Sequence, residues 1–163
     1  MKSNYISPQK LNDVIMCMKY ENGLAIRVSN ATGLRISDVL AIPYVQIYKS
    51  NKITIREKKT AKSRRVYIPL GLWREMKGNA NRGWVFPHRL KAYKHRTREA
   101  VYIDFKKACR RSGIAPEGLS PHSVRKAWAV REYARTRSIV SIQRKMNHRD
   151  AGTTALYALS DKL

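Results

Sequence analysis

Residues 52–70 read KITIREKKTAKSRRVYIPL, and they decide the fold class because apolar and polar residues alternate along them twice. Alternation with a period of two is typical of a strand with one buried face, and it occurs here in 52–58 and again in 63–70. The residues between the two runs, KTAK, form a short polar connection of the kind that joins hairpin strands. We therefore predict one antiparallel β-hairpin with basic residues on its solvated side.

Helical signals dominate on both sides of the hairpin. Ser7-Pro8 is an N-cap followed by a first-turn proline, and the apolar residues after it recur at helical spacing up to a predicted end at Gly23. The next two helices are expected over 24–31 and 36–42. Beyond the hairpin, helices are predicted over 72–77, 96–111, 120–135, 139–147 and 154–159. The expected fold class is mainly α with a small antiparallel β-hairpin insert.

Charge is the strongest feature of the composition. The chain has 34 lysines and arginines against 11 aspartates and glutamates, which gives a formal net charge of +23 over 163 residues. Self-repulsion of this size disfavours a compact state unless a polyanion offsets it, so nucleic acid is the leading partner. Because 43% of the residues are hydrophobic, a disordered basic tail is excluded and an ordinary core is expected.

Cysteine usage and hydropathy suggest where the protein resides. Cys17 and Cys109 lie far apart, a spacing that fits neither a disulfide framework nor a CxxC zinc site, so a reducing, cytoplasmic setting is expected. The N-terminal residues contain no apolar core of signal-peptide length, and no run approaches a membrane span. We expect a soluble protein that does not bind membranes.

Short motifs contain candidate functional side chains, and each also has a plain structural interpretation. His122 and Arg125 are three residues apart after a predicted cap, so both lie near a helix N-terminus, where a phosphate is favoured. A solvated basic helix face accounts for this pair equally well. Arg35 and Asp38 have the spacing of an i,i+3 surface ion pair, and the lysines of KTAK can be solvated turn residues.

The order of these motifs is more specific than any one of them. TGLRISDVLAI, KTAK, SPHSVR and NHRDAGTTALY closely resemble the catalytic domain of the tyrosine recombinases, the phage integrase family. That family has an arginine in a TGLRxSE-like box, a hairpin lysine, an HxxR, a second histidine and a tyrosine nine residues after it. The resemblance extends from about residue 7 to residue 160 and departs from the family at Asn147, where a glycine is usual. It implies the DNA breaking-rejoining fold. Because the pattern begins almost at Met1, we expect 1–163 to be a single catalytic domain without the core-binding domain that the family commonly has before it.

The resemblance implies six catalytic residues, which are Arg35, Lys59, His122, Arg125, His148 and Tyr157. Tyr157 would be the nucleophile and would form a 3′-phosphotyrosyl bond, leaving a free 5′ hydroxyl. A phenol ionises with a pKa of about 10 in water, so a tyrosine nucleophile needs positive surroundings or a base. Arg35 and Arg125 would grip the scissile phosphate and neutralise its charge, a task that metal ions perform in other nucleases. Neither a metal nor a cofactor is therefore expected.

The remaining roles concern proton transfer and support. Lys59 would protonate the departing 5′ hydroxyl, and it is preferred to Lys62 because the family's lysine precedes a Thr-Gly-like turn, here Thr60-Ala61. The two histidines would assist proton transfer and hold the phosphate. Asp38 would be a buttress for the site and would not react.

Further basic residues are candidate DNA contacts, and these are Lys62, Arg64, Arg96, Arg98, Lys106 and Arg110. Most of them lie in the very basic segment 89–111, for which a solvated surface is the alternative interpretation. The expected partners are double-stranded DNA, further copies of the chain in a dimeric or tetrameric synapse, and accessory DNA-bending proteins.

Four functions remain open at this stage. The first is a site-specific recombinase or integrase of a phage, plasmid or other mobile element. The second is a catalytically impaired relative that binds DNA as an accessory factor or regulator. The third is strand passage of the type IB topoisomerase kind, which uses the same residue types, and the fourth is a generic basic nucleic-acid protein. A covalent adduct of Tyr157 with DNA would separate the first and third from the others.

Overall fold

The computed structural model describes residues 3–56, 61–81, 83–91, 93–148 and 150–162. Over these ranges the chain is mostly helical, with one two-stranded sheet. In chain order the elements are α1 (Pro8–Met16), α2 (Tyr20–Thr32), α3 (Ile36–Leu40), α4 (Tyr44–Ile47), β1 (Lys52–Arg56), β2 (Ser63–Tyr67), α5 (Leu70–Asn79), α6 (Arg98–Arg111), α7 (Pro121–Thr136), α8 (Ile139–Met146) and α9 (Ala151–Ala158). The predicted fold class, mainly α with a small antiparallel sheet, is confirmed.

The hairpin forms where the alternating pattern predicts it. Strands β1 and β2 pair antiparallel, with Ile53 opposite Val66 and Ile55 opposite Arg64. The three apolar side chains of these pairs are buried, whereas Lys52 and the other outward residues of both strands are exposed. The basic residues therefore lie mainly on the solvated face, and Arg64 is the half-buried exception on the inner face.

The predicted boundary between the first two helices is wrong. Helix α1 ends at Met16 and α2 begins at Tyr20, so Gly23 lies inside α2 and does not end α1. The physical reason is Asp104 of α6, whose carboxylate accepts hydrogen bonds from the backbone N–H of Lys19 at 2.9 Å and from the Asn22 side chain at 2.8 Å. A carboxylate 82 residues away along the chain thus fixes the start of α2, and local sequence signals do not include it.

Two hydrophobic clusters position the C-terminal helices. The larger cluster surrounds α2 and includes side chains from α1, α3, the hairpin, α5, α6 and the first turns of α7. The smaller one joins α7, α8 and α9 through Trp128, Ile142, Met146 and Ala158. Helix α7 contributes to both clusters, so its N-terminal half is held firmly against the turn that follows α2.

An ion-pair group reinforces the contact between α7 and α8. Glu132 of α7 accepts hydrogen bonds from Arg135, at 2.6 Å, and from Lys145 of α8. The hydrogen bond from Arg135, with help from Lys145, lowers the pKa of Glu132 from its ordinary 4.5 to about 2. The carboxylate therefore stays ionised at neutral pH and keeps α8 in place beside α7.

Gly33, which follows α2, occupies a position that requires glycine. Its φ is +68°, in the left-handed region, and a Cβ atom built there would lie 2.6 Å from the ring of Trp128. Its N–H donates to the carbonyl of Ser29 at 2.8 Å and closes the helix. The turn between α2 and α3 is thus held tightly against α7.

We expect Gly33→Ala to destabilise the fold by about 2–4 kcal/mol, because the left-handed conformation costs about 1 kcal/mol and overpacking against Trp128 about 1–3 kcal/mol more. Gly113→Ala is the matched control, since Gly113 has a φ of +70° but no described atom within 4 Å of its Cβ position. That variant should lose only about 1 kcal/mol. Urea unfolding measures both values, and equal losses would contradict the close approach to Trp128.

Among the residues that the structure describes, no helix has both the length and the apolar character needed to cross a bilayer.

Candidate active site

Arg125 joins three segments of the chain at one point. Its Nη1 donates to the carbonyl of Gly33 at 2.8 Å, and its Nη2 donates to the carbonyl of Met146 at 2.8 Å. The same Nη2 lies 3.5 Å from Nε2 of His148. Only 2% of Arg125 is exposed, so this guanidinium is a fixed charge and does not sample solvent. The solvated-face interpretation of the HxxR pair is therefore wrong for its arginine.

His148 connects this arginine to the tyrosine. Its ring lies edge-on to the ring of Tyr157, with centroids 5.2 Å apart and planes at 77°. Its Nδ1 is 3.1 Å from the hydroxyl of Thr154, which is itself fully buried in α9. Arg125, His148 and Tyr157 are thus brought into one array, as the resemblance implies.

Asn147 directly precedes His148, at the position where the family usually has a glycine. It follows α8 with φ +52° and ψ +37°, which is the left-handed conformation. Asparagine is among the residues that enter this region most readily after glycine. The departure from the family pattern therefore keeps the backbone path that the histidine needs.

His122 lies on the first turn of α7 and is exposed. Ser120 caps this helix by accepting a hydrogen bond from the His122 N–H at 3.2 Å. The imidazole borders a cavity of about 340 Å³ that it shares with Lys126 and Tyr157. His122 and Tyr157 thus open onto the same space, although they come from different helices.

Arg35 and Asp38 lie at the start of α3, two and five residues after Gly33, whose carbonyl Arg125 binds. The Arg35 guanidinium is 3.9 Å from the Asp38 carboxylate, and their side chains are 14% and 1% exposed. The ion pair with i,i+3 spacing is therefore present, but its predicted position at the surface is wrong, because both groups are largely buried. From the hairpin, Arg64 donates to the carbonyl of Thr32 at 3.0 Å and so lies against the same turn.

The candidate hairpin lysine is not among the residues that the structure describes. Lys59 lies outside the described residues, together with 57–58 and Thr60. Lys62, which follows them, is exposed. The assignment of Lys59 as the proton donor stays a prediction.

Several of the proposed DNA contacts also hydrogen-bond within the protein, as Arg64 does to the Thr32 carbonyl and Arg98 to the Glu99 carboxylate. Arg96 donates to the Asn22 side chain at 3.1 Å and lies 4.0 Å from the Glu21 carboxylate. The ammonium of Lys106 donates to the carbonyl of Pro116. These bonds use only some of the donors of each cation, so the roles of Arg64, Arg96 and Lys106 in phosphate contact stay predictions.

Arg98 and Arg110 are exposed on α6 and remain available to solvent. Helix α6 begins at Arg98 and not at the predicted Arg96, because Thr97 caps it by accepting a hydrogen bond from the Ala100 N–H at 3.2 Å.

Lys126 is a candidate that the sequence motifs do not include. Only 7% of it is exposed, and its Nζ lies 5.6 Å from the centroid of the Tyr157 ring. Helical spacing is the signal that could have identified it, since residue 126 is four positions after His122 and therefore on the same side of α7. Its importance depends on α9 packing against α7, which spacing alone does not predict.

Within the described ranges, no group of three or more His, Cys, Asp or Glu side chains is arranged to hold a metal ion.

Comparisons with known proteins identify the family and the fold of the chain. A model of the phage integrase family matches residues 5–163. The tyrosine recombinase XerD of Rhizobium meliloti (strain 1021) is 28% identical over an alignment of 140 residues, and the match covers 81% of this chain and 45% of that protein. The catalytic domain of bacteriophage HP1 integrase superposes with a TM-score of 0.73 at 24% identity, covering 98% of this chain and 89% of that one. A lambda integrase dimer bound to a COC′ core site gives a TM-score of 0.79 at 16% identity, over 97% and 48% of the two chains.

The fold is that of the tyrosine recombinase catalytic domains. The chain belongs to the phage integrase family. It spans about half the length of the XerD relatives that it matches.

Proposed function

We propose that this chain is the catalytic domain of a site-specific DNA recombinase or integrase that acts through a 3′-phosphotyrosyl intermediate. The observation that carries the proposal is the continuous array from the buried Arg125 through His148 to Tyr157. His148 contacts both the buried guanidinium and the tyrosine, so a fixed positive charge lies one side chain away from the candidate nucleophile. The same array is where a phosphodiester would meet both a nucleophile and fixed positive charge.

The proposed reaction replaces one phosphate ester bond with another and so conserves the energy of the phosphodiester. The Tyr157 oxygen attacks phosphorus, an ester bond to the 3′ phosphate forms, and the bond to the 5′ oxygen breaks. The phenolic proton leaves through the histidines or water, and Lys59 supplies a proton to the departing 5′ oxygen. Arg35 and Arg125 offset the negative charge that builds on the phosphate oxygens. A 5′ hydroxyl from another strand then reverses the step and rejoins the DNA without ATP.

The setting of this reaction forms part of the proposal. Double-stranded DNA is the substrate that a formal charge of +23 favours. The related lambda integrase was solved as a dimer on a core site, which supports self-association on DNA here. We further propose a mobile element as the source, the cytoplasm as the location and DNA-bending proteins as accessory factors.

Covalent capture tests the proposed function. The protein is incubated with a pool of duplexes that have randomised core sequences and a nick beside the cleavage point, so that the cleaved end diffuses away and traps the adduct. We expect a species that survives denaturation, with the 3′ phosphate attached to Tyr157 by mass spectrometry and one motif enriched in the recovered DNA. Failure to form any adduct across the pool would overturn the proposal in favour of a DNA-binding relative. Adducts without sequence preference, together with relaxation of supercoiled plasmid, would indicate topoisomerase activity instead.

A further inference from the structure

We infer that Lys126 is a positioning residue for the nucleophile: its buried ammonium holds the Tyr157 ring and favours the ionised phenol. This inference rests on the proposed function, because it assigns a role within that reaction. The family motifs that identify the site include the histidine and arginine of HxxR but not the residue after them.

Two side chains from different segments contact the Tyr157 ring. The Lys126 ammonium lies over the face of the Tyr157 ring, 5.6 Å from its centroid, while His148 approaches the same ring edge-on at 5.2 Å. The ring is therefore positioned by two side chains from different segments. An ammonium over an aromatic face is attracted by the negative charge of the ring face.

Lys126 is buried to a degree that is unusual for a lysine. Lysine is almost never as buried as Lys126, which is 7% exposed, unless its charge has a use or a partner in the fold. Burial also strengthens its effect, since a charge interacts more strongly where water is excluded. A surface lysine at the same distance would be screened by salt and solvent.

The Lys126 ammonium attracts the ionised phenol more strongly than the neutral phenol. The neutral ring offers the ammonium only a weak quadrupole, whereas the phenolate offers a full negative charge. The attraction therefore grows when Tyr157 loses its proton, and a nearby opposite charge favours the charged form. The proposed effect of Lys126 is electrostatic, and Lys126 acts neither as an acid nor as a base.

Other charged or titratable groups lie on the elements packed around the Tyr157 ring. Helix α7 contributes His122 across the cavity and Arg125 through its contact with His148, while Asp150 lies at the N-terminus of α9. The N-terminal segment contributes Ser3, which has no charge. Arg125 already donates to two backbone carbonyls, so Lys126 is the cation that directly contacts the ring among the described residues.

Single-turnover cleavage of the captured DNA motif, measured against pH, tests this role. Lys126→Met keeps the length of the side chain but removes the charge, and we expect cleavage to be about tenfold slower at about pH 7. The deficit should close as pH rises, because the whole rate profile shifts upward by about one pH unit. Lys126→Arg should restore the wild-type profile.

The matched control is Lys77→Met. The Lys77 ammonium also contacts an aromatic ring, lying 4.7 Å from the Trp73 centroid, but on α5. This variant loses the same charge and the same type of contact, and its profile should follow the wild type. A deficit in Lys126→Met that is equal at every pH, or a failure of Lys126→Arg to rescue, would overturn the inference and leave Lys126 a packing residue.

A DNA-free measurement separates this inference from the proposed function. If the wild-type protein forms no adduct, the proposed function fails, and an NMR titration of ring-labelled tyrosine then decides the role of Lys126. The Tyr157 signal, assigned by its loss in Tyr157→Phe, should ionise at higher pH in Lys126→Met than in the wild type. An unchanged titration would overturn the inference, whatever the DNA experiments show.

Discussion

Tyr157→Phe should abolish the covalent adduct with DNA and leave DNA binding intact. Removal of a nucleophile that acts with neighbouring groups costs about 10⁴–10⁶-fold in rate, so no adduct should be visible on a denaturing gel. Phenylalanine keeps the ring that packs edge-on against His148, and Tyr157 is only half-buried, so the fold should not change. The phosphate contacts that dominate affinity come from the basic side chains, which the variant retains.

The controls for this variant come from the same part of the molecule. Tyr133→Phe makes the same change on α7, where Tyr133 packs against the smaller hydrophobic cluster, and it should form the adduct at the wild-type rate. Binding is measured by gel shift at several salt concentrations, and both variants should show the wild-type slope of affinity against salt. An adduct that persists in Tyr157→Phe would mean that a different residue attacks the phosphate, and the proposed mechanism would be rejected.

The hairpin and two helix starts could be predicted because they depend on local sequence pattern. Alternation fixes which side of a strand is buried, and Ile53 and Val66 are accordingly buried opposite each other. The caps at Ser7 and Ser120 likewise start helices where a serine precedes a proline. These signals act over a few residues, and a single sequence contains all of them.

The start of α2 and the surroundings of Arg96 could not be predicted, because they depend on partners that are distant in sequence. Asp104 of α6 fixes the start of α2 through hydrogen bonds, and Asn22 accepts a hydrogen bond from Arg96. Neither contact has a local signal in the sequence. Charge alone also says little about role: Lys106 and Lys126 are both basic helix residues. One bonds the carbonyl of Pro116, and the other contacts the candidate nucleophile. Only the packing of α9 on α7 distinguishes them.

Arg125→Lys should damage both the site and the fold, and cleavage should fall far more than stability. A lysine keeps the charge but replaces a planar fork with a single ammonium, which cannot reach the Gly33 and Met146 carbonyls together. Leaving one buried carbonyl unsatisfied costs about 1–3 kcal/mol. A domain with a typical stability of about 5–15 kcal/mol stays folded after that loss.

Cleavage has a stricter geometric requirement. Loss of one preorganised donor to the developing charge costs about 10²–10³-fold in rate, and we expect at least this fall in single-turnover cleavage by Arg125→Lys. Urea unfolding at the assay temperature gives the folded fraction, so the rate can be corrected for any unfolded protein.

Arg131→Lys provides the comparison that isolates the site. Arg131 lies on the same helix and donates to Asn30 of α2, in the same manner as Arg125 donates to Gly33, but it is exposed and has no contact with His148 among those described. Its replacement should change cleavage by less than about twofold and stability by about 0.5 kcal/mol. If the corrected rate of Arg125→Lys matched that of Arg131→Lys, the buried guanidinium would be a fold element alone. The array from Arg125 to Tyr157 would then no longer carry the proposed function.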